Sequence, residues 1–259
     1  LNSLNKGYIG RPHLFFEELD STNSYAQLLI AKSNPCEGTA ISADFQSQGR
    51  GQYGRIWTGD KGKNIFTTII IKPSFIKPAD QFLINQAITL AVCDVCKDAV
   101  QQDVAIKWPN DIYINDRKVC GILIQYTISG NTLQYGIIGI GMNINQKEFS
   151  PDLPNPTSLA IEGAAAFDLI EIRKKLFSAF ELRYEQLKKG RTGSIKKEYQ
   201  SRLYRINEKA LFNYGDKPLE GVIRGVDDTG KLLLSVDNVI QSYNLNELRM
   251  VINHTKHKQ

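Results

Sequence analysis

The sequence predicts an α+β domain followed by a small all-β module. Three observations carry this reading. Two stretches, residues 81–100 and 170–189, place apolar side chains near helical spacing. Between them, residues 104–143 break into short β-branched runs that read as a cluster of strands. Beyond residue 207 the chain becomes short strands punctuated by Gly, Asp and Asn, the composition of a small β-barrel.

The elements follow in order. Residues 13–18 read as a short strand. Asp20, Ser21, Thr22 and Asn23 then offer N-cap side chains ahead of a helix over 25–32, where Ala26, Leu29 and Ile30 are apolar. Residues 38–45 alternate like a strand, whereas 46–62 lose all periodicity and fill with Gly, Arg and Gln. A β-branched strand over 64–72 is closed by Pro73 and Pro78. After the helix at 81–100 come strands at 104–107, 112–115, 119–129 and 132–143, the last two joined by a Gly130-Asn131 hairpin turn. Ile172, Leu176, Phe180, Tyr184 and Leu187 give the second long helix its apolar side, and a basic, polar stretch over 188–197 leads into a last short helix. Four strands at 210–214, 219–226, 231–236 and 239–244 complete the pattern. The expected division is a domain of residues 1–206, a β-module of 207–253, and a patternless, disordered tail of 254–259.

A chain of 259 residues buries a sizeable core without staples. Its net charge of +5 suits anionic ligands or an acidic partner without requiring either. The cysteines, Cys36, Cys93, Cys96 and Cys120, lack metal-finger spacing, and the Cys93/Cys96 pair falls inside an apolar helix where both read as small hydrophobes. No stretch approaches the roughly 18 apolar residues of a membrane span. Residues 1–11 are too polar for a signal peptide. The expectation is a reduced, cytoplasmic protein.

Four strings could carry chemistry. In Gly49-Arg50-Gly51-Gln52-Tyr53-Gly54-Arg55-Ile56-Trp57, glycines let the backbone wrap a ligand and arginines offer planar cationic forks. Trp57 can lie flat on an aromatic base. The spacing is neither a dinucleotide fingerprint nor a P-loop, and a mobile basic loop is the plain alternative. Lys107-Trp108-Pro109-Asn110-Asp111 sets a lysine at a strand end before a fixed turn, or is simply a turn with a surface lysine. Lys118-Val119-Cys120-Gly121-Ile122-Leu123-Ile124 and Gly139-Ile140-Gly141-Met142-Asn143 place glycines in buried strands, where a ligand can approach the backbone or packing is merely eased.

Taken in order, these strings, together with Asp20-Ser21-Thr22-Asn23, Gln46, Tyr113 and Thr157-Ser158-Leu159, closely resemble the biotin–protein ligase family. The resemblance runs from about residue 15 to residue 251, and the region around 221–234 resembles that family's SH3-like domain. It implies a mixed β-sheet flanked by helices, related to class II aminoacyl-tRNA synthetases. It also implies two half-reactions: biotin and ATP, with Mg2+, give biotinyl-5′-adenylate, which then acylates a lysine of a biotin carboxyl carrier protein.

The resemblance assigns Ser21, Thr22 and Asn23 to the biotin ring and Gln46 to its ureido group; Ser21 can also be an N-cap. Gly49, Arg50, Gly51 and Gln52 fall in the stretch that meets the biotin carboxylate and phosphate, and Gly121 lines the biotin pocket. Arg55, Trp57, Asn110 and Asn143 are assigned to the nucleotide, Trp57 as the adenine platform. Lys107 is matched to the lysine bridging carboxylate and α-phosphate, with Arg50 beside it as the second catalytic cation. A fixed cation there offsets the repulsion of two anions and the charge developing at phosphorus. No residue is assigned as a metal ligand.

Two departures stand out. Many relatives read Gly-Arg-Gly-Arg-Arg-Gly-Arg, where this chain has Gln52 and Tyr53. Losing a charge-assisted bond weakens adenylate retention by about 1–2 kcal/mol, so Gln52→Arg is expected to slow adenylate dissociation, measurable by stopped-flow displacement. The short run ahead of the first strand leaves no room for the helix-turn-helix domain of repressor-type relatives, which points away from DNA binding. The resemblance allows a homodimer paired along a sheet edge. Rival readings are a lipoate ligase-like acyltransferase, a noncatalytic biotin sensor and a nucleic-acid binder. The last lacks aromatic residues interleaved with its basic clusters.

Overall fold

The computed structural model describes residues 7–252; the residues expected to form the 254–259 tail lie outside them. The first domain is built on a seven-stranded mixed sheet. Its strands are β1 (His13–Leu19), β2 (Ala40–Gln46), β3 (Asn64–Ile71), β4 (Val104–Lys107), β5 (Asp111–Ile114), β6 (Arg117–Ser129) and β7 (Thr132–Asn143), in the spatial order β1-β2-β3-β7-β6-β5-β4. β1 and β2 are parallel, and the crossover that such a pair needs runs through a helix; the remaining pairs are antiparallel. The Gly130-Asn131 turn closes the longest hairpin, with Ser129 opposite Thr132.

Alternation along β3 explains the layering. All of its residues are buried, as its β-branched composition demands of a strand covered on both faces. Ile65, Ile69 and Ile71 join the main core, while Ile70 packs with Ala26, Ile41 and Ile137 on the opposite side. The main core lies under α2 (Phe82–Ala99), α4 (Leu169–Lys188) and α5 (Thr192–Ser201); the smaller one lies under α1 (Thr22–Lys32). Thr68 is on the α1 side, and this side carries the site described below. Cys93, Cys96 and Cys120 are buried in the main core, where burial pushes their thiols up.

Several elements differ from the sequence-based expectation. α1 begins at Thr22, because Ser21 caps it by accepting from the Ser24 amide. α5 begins at Thr192, inside the stretch read as a basic connection. Its Ile195 and Tyr199 are four residues apart and buried, a pair hidden among lysines. A single-turn helix α3 (Leu159–Glu162) follows the Thr157-Ser158 string, capped by Ser158.

The second sheet contains β8 (Lys209–Tyr214), β9 (Lys217–Val226), β10 (Leu232–Val236), β11 (Val239–Tyr243) and a strand the sequence did not signal, β12 (Leu248–Met250). The order is β11-β10-β9-β8-β12, all antiparallel. Its edge strands, β11 and β12, do not pair with each other, so the expected SH3-like barrel is here an open five-stranded sheet with no hydrogen-bonded seam. It is fastened to the first domain by polar contacts: the Gln200 amide donates to Val226 O and accepts from Val226 N, and Trp108 Nε1 donates to Gly230 O at 2.8 Å.

Helices α2, α4 and α5 are tied by Arg183, which donates to Asp94 and Glu198, and by Arg202, which bonds the same two carboxylates. The hydrogen bonds from Arg183 hold the Glu198 carboxyl below its ordinary value. A depressed carboxyl contributes stability above its unfolded pKa and loses it as pH falls through the folded value. The thermal midpoint is therefore expected to fall as pH drops below about 4.5, and Glu198→Gln to flatten that part of a melting-versus-pH profile.

Candidate active site

The site lies on the α1 side of the sheet and is built first by absence of side chains. Gly121 on β6 stands opposite Gly141 on β7, a bare cross-strand pair. The indole of Trp57 lies on this patch. A Cβ on Gly121 would stand 2.8 Å from its Cζ3, and one on Gly141 2.4 Å from its Nε1. Trp57 is delivered there by the Gly/Arg loop, which forms a narrow hairpin: Trp57 N donates to Gly49 O, and Gly51 N donates to Arg55 O. At its tip Gln52–Gly54 make a 3-10 turn, with Tyr53 in the left-handed region (φ 54°). The buried Trp57 Nε1 has no hydrogen-bond partner.

The N-terminus of α1 forms the far wall. Gln46 Oε1 accepts from the Thr22 backbone N–H at 2.8 Å, which fixes the amide of Gln46. Thr22 and Asn23 are buried and bonded to Thr68 behind them. The resulting cavity of about 200 Å3 is lined by Ser21, Thr22, Asn23, Gln46, Arg50, Gly51, Gln52, Arg55, Trp57, Gly121 and Asn143. The sequence expectation thus converges on one place from five separate strings. Phe149, Leu153, Pro154 and Pro156 supply an apolar wall that the sequence did not signal, since nothing in their spacing is periodic.

Lys107 and Asn110, expected in the same place, are elsewhere. β4 is the outermost strand of the sheet, and β5 separates it from β6, so Lys107 stands roughly 10 Å across the sheet from the cavity floor. It lies 5.7 Å from the ring of Tyr113, and burial lowers its pKa. The buried Asn110 amide is spent on Ile122 O at 2.6 Å. Both residues line a second cleft of about 720 Å3 between the two sheets, together with Tyr113, Tyr204, Glu247 and Arg249. Gly49 is buried behind the loop and lines neither space.

The lysine within the first cavity is Lys118. Its ammonium bonds the Asp111 carboxylate at 2.7 Å and lies 5.3 Å from the Trp57 ring. Lys118 was legible only as part of a matching string, because a charged residue opening a strand has no distinguishing pattern. Its backbone is held on both sides, Lys118 N donating to Asn155 O and Lys118 O accepting from Thr157 N. Gln52, Arg55, Asp111, Lys118 and Pro154 line both cavities, so the two spaces share a wall.

Residues 15–143 match the Biotin/lipoate A/B protein ligase family, and residues 209–247 match the Biotin protein ligase C terminal domain. The biotin--[acetyl-CoA-carboxylase] ligase of Paracoccus denitrificans is 31% identical over 223 residues, covering 83% of this chain and 90% of that protein. The chain belongs to the biotin protein ligase family. The bifunctional ligase/repressor BirA of Bacillus subtilis is 29% identical over 233 residues, with 88% of this chain and 71% of the relative aligned. Among solved structures, the biotin protein ligase from Aquifex aeolicus in complex with biotin and ATP superposes with a TM-score of 0.78 at 23% identity. That superposition covers 93% of this chain and 98% of the other, so the ligase fold extends over both sheets. No helix among the described residues is long and apolar enough to cross a membrane.

Proposed function

We propose that this ligase activates biotin with ATP to biotinyl-5′-adenylate and transfers the biotinyl group to a lysine of a biotin carboxyl carrier protein. The observation that carries the reading is the shared wall: one lysine and one arginine stand where a cavity with an amide-rich end meets a cationic cleft. Adenylation needs this arrangement, because a carboxylate must meet a phosphate and a fixed cation must offset their repulsion.

Biotin lies with its ring against Thr22 and Gln46 and its carboxylate toward Lys118. A carboxylate oxygen attacks the α-phosphorus, the bond from that phosphorus to the bridging oxygen breaks, and pyrophosphate leaves with the electron pair. Lys118, oriented by Asp111, stabilises the charge gathered there, with Arg50 and Arg55 on the loop. Adenine lies against Trp57 and the Phe149–Leu153 wall, and Asn143 beside the adenylate is held by its own bond to Thr157 O. Lys107 and Arg249 face the cleft into which pyrophosphate departs. In the second half-reaction the neutral lysine amine of the carrier attacks the acyl carbon, the bond from that carbon to the phosphate oxygen breaks, AMP leaves with the electron pair, and the new amide nitrogen gives up a proton to water.

The donor set does not build a protein cage for Mg2+. Among the described residues no three His, Cys, Asp or Glu side chains cluster, and Asp111 is already paired with Lys118. The ion fits as a companion of the ATP phosphates and water, and the steps above use the chain's own groups. We place the division between catalytic unit and SH3-like module at residues 206 and 207, and pairing of two copies along the exposed β1 edge remains part of the proposal.

The test is biotin-dependent exchange of labelled pyrophosphate into ATP, followed by transfer to a carrier domain. Exchange with biotin and not with lipoate is the expected result. Exchange with lipoate alone would keep the fold and change the substrate, and tight biotin binding without exchange would make the chain a sensor.

A further inference from the structure

Behind the proposed biotin-ring wall, β3 carries a hydroxyl with no contact to the cavity. Thr68 is fully buried, opposite Gly139 on β7. Its Oγ1 is 2.6 Å from Asn23 Oδ1 and 2.8 Å from Thr22 Oγ1. Asn23 in turn donates its Nδ2 to Gln125 Oε1 at 3.3 Å, which also accepts from Gln27 at 3.2 Å.

Proton counting gives this cluster a direction. A hydroxyl has one proton and an amide oxygen has none. The single proton of Thr68 therefore goes to Asn23 Oδ1, and Thr68 Oγ1 can only accept from Thr22. Two hydroxyl oxygens 2.8 Å apart need a proton between them, so the Thr22 proton goes back to Thr68 Oγ1 and not to Gln46 Oε1 at 3.1 Å, which already accepts from the Thr22 N–H. With the Thr22 proton held by Thr68, the remaining lone pair of Thr22 is presented to a ligand as an acceptor; without Thr68 that proton is free to turn into the pocket and the acceptor is lost. Gln46 Oε1 is occupied by the Thr22 N–H, and Gln46 Nε2 donates to no protein group among the described residues. The wall thus offers an acceptor beside a donor, which complements the N–H beside C=O of a cyclic urea.

We infer that Thr68, with Gln125, is a positioning residue that sets the hydrogen-bond polarity of the pocket and so selects a ureido head group. This rests on the biotin-activating reading above and extends it to residues that touch no substrate. A group that fixes polarity acts on discrimination between ligands of equal shape, because a mismatched donor or acceptor is left unpaired.

The experiment compares biotin with 2-iminobiotin, which carries N–H where biotin has its carbonyl oxygen, in pyrophosphate exchange. Thr68→Val keeps the shape and removes the hydroxyl. Its KM for biotin is expected to rise about tenfold with kcat changed by less than about threefold, and the preference for biotin over the imino analogue to shrink by about tenfold. Thr68→Ser restores both. An unchanged KM and preference, or an equal loss for the two ligands, overturns the inference. Should Thr68→Val fail to fold, Gln125→Leu at its half-buried position is the substitute, with the same expected loss of preference and the same overturning result. If wild type itself shows no biotin-dependent exchange, the reading of the function fails; if wild type exchanges and the variants keep its preference, only the role of Thr68 and Gln125 fails.

Discussion

Lys118→Ala is expected to lower biotin-dependent pyrophosphate exchange by about 100- to 1,000-fold, while leaving the melting temperature within a few degrees. The ammonium is fixed by Asp111 at 2.7 Å on the wall common to both cavities, so it is oriented before substrates arrive. A cation held in place costs no reorganisation when charge develops at phosphorus, and its removal is felt in kcat. Lys107→Ala makes the contrast. Lys107 lies two strands away and lines the second cleft, so under the proposed reading its loss is expected to raise the KM for pyrophosphate and spare kcat. Exchange rates measured for both variants over a range of pyrophosphate concentrations separate the roles. A large kcat loss in Lys107→Ala with Lys118→Ala near wild type would move the reacting centre into the second cleft.

Gly139→Val is expected to abolish measurable biotin binding by calorimetry and to destabilise the domain by about 1–3 kcal/mol. A Cβ at this position would stand 2.1 Å from Asn23 Oδ1 and 2.8 Å from its Cγ. Asn23 cannot move aside, because Thr68 holds its oxygen and Gln125 holds its nitrogen. The intruding methyls must push the first turn of α1 off the sheet, and Thr22, Ser21 and the Gln46 contact go with it. Gly130→Val is the control: it lies in the exposed hairpin turn, and a Cβ there meets nothing within 4 Å, although its φ of +56° brings a backbone cost. It is expected to lose some stability and keep biotin affinity. Equal affinity losses in the two variants would show that the effect at Gly139 is not local.

Much of the fold was written in local patterns. β3 is β-branched along its length, the β6–β7 hairpin has its Gly-Asn turn, and α2 and α4 keep apolar residues near a 3.6 period. These signals are local because a residue's partners in a hairpin or a helix are close in sequence. α5 and β12 escaped, the first because lysines surround its buried pair, the second because three residues are too few to show alternation. The Arg50–Trp57 loop and Gly121 were legible as parts of a site, since glycines and fixed forks have recognisable chemistry, whereas Ser21–Asn23, Gln46 and Asn143 were assigned by the resemblance to the family alone. Lys107 and Lys118 were not distinguishable in that way.

The sequence by itself determined that two sheets and their helices would form, that the strings above belong with a biotin ligase, and that one loop carries paired arginines and an indole. Only the tertiary structure decided which lysine faces the amide-rich cavity, that Trp108 ties the second sheet to the first domain, and that Thr68 stands behind the wall. Which side chains share a cavity depends on strand order. Strand order is set by the packing of the whole sheet between its two cores, to which residues far apart in the chain contribute together.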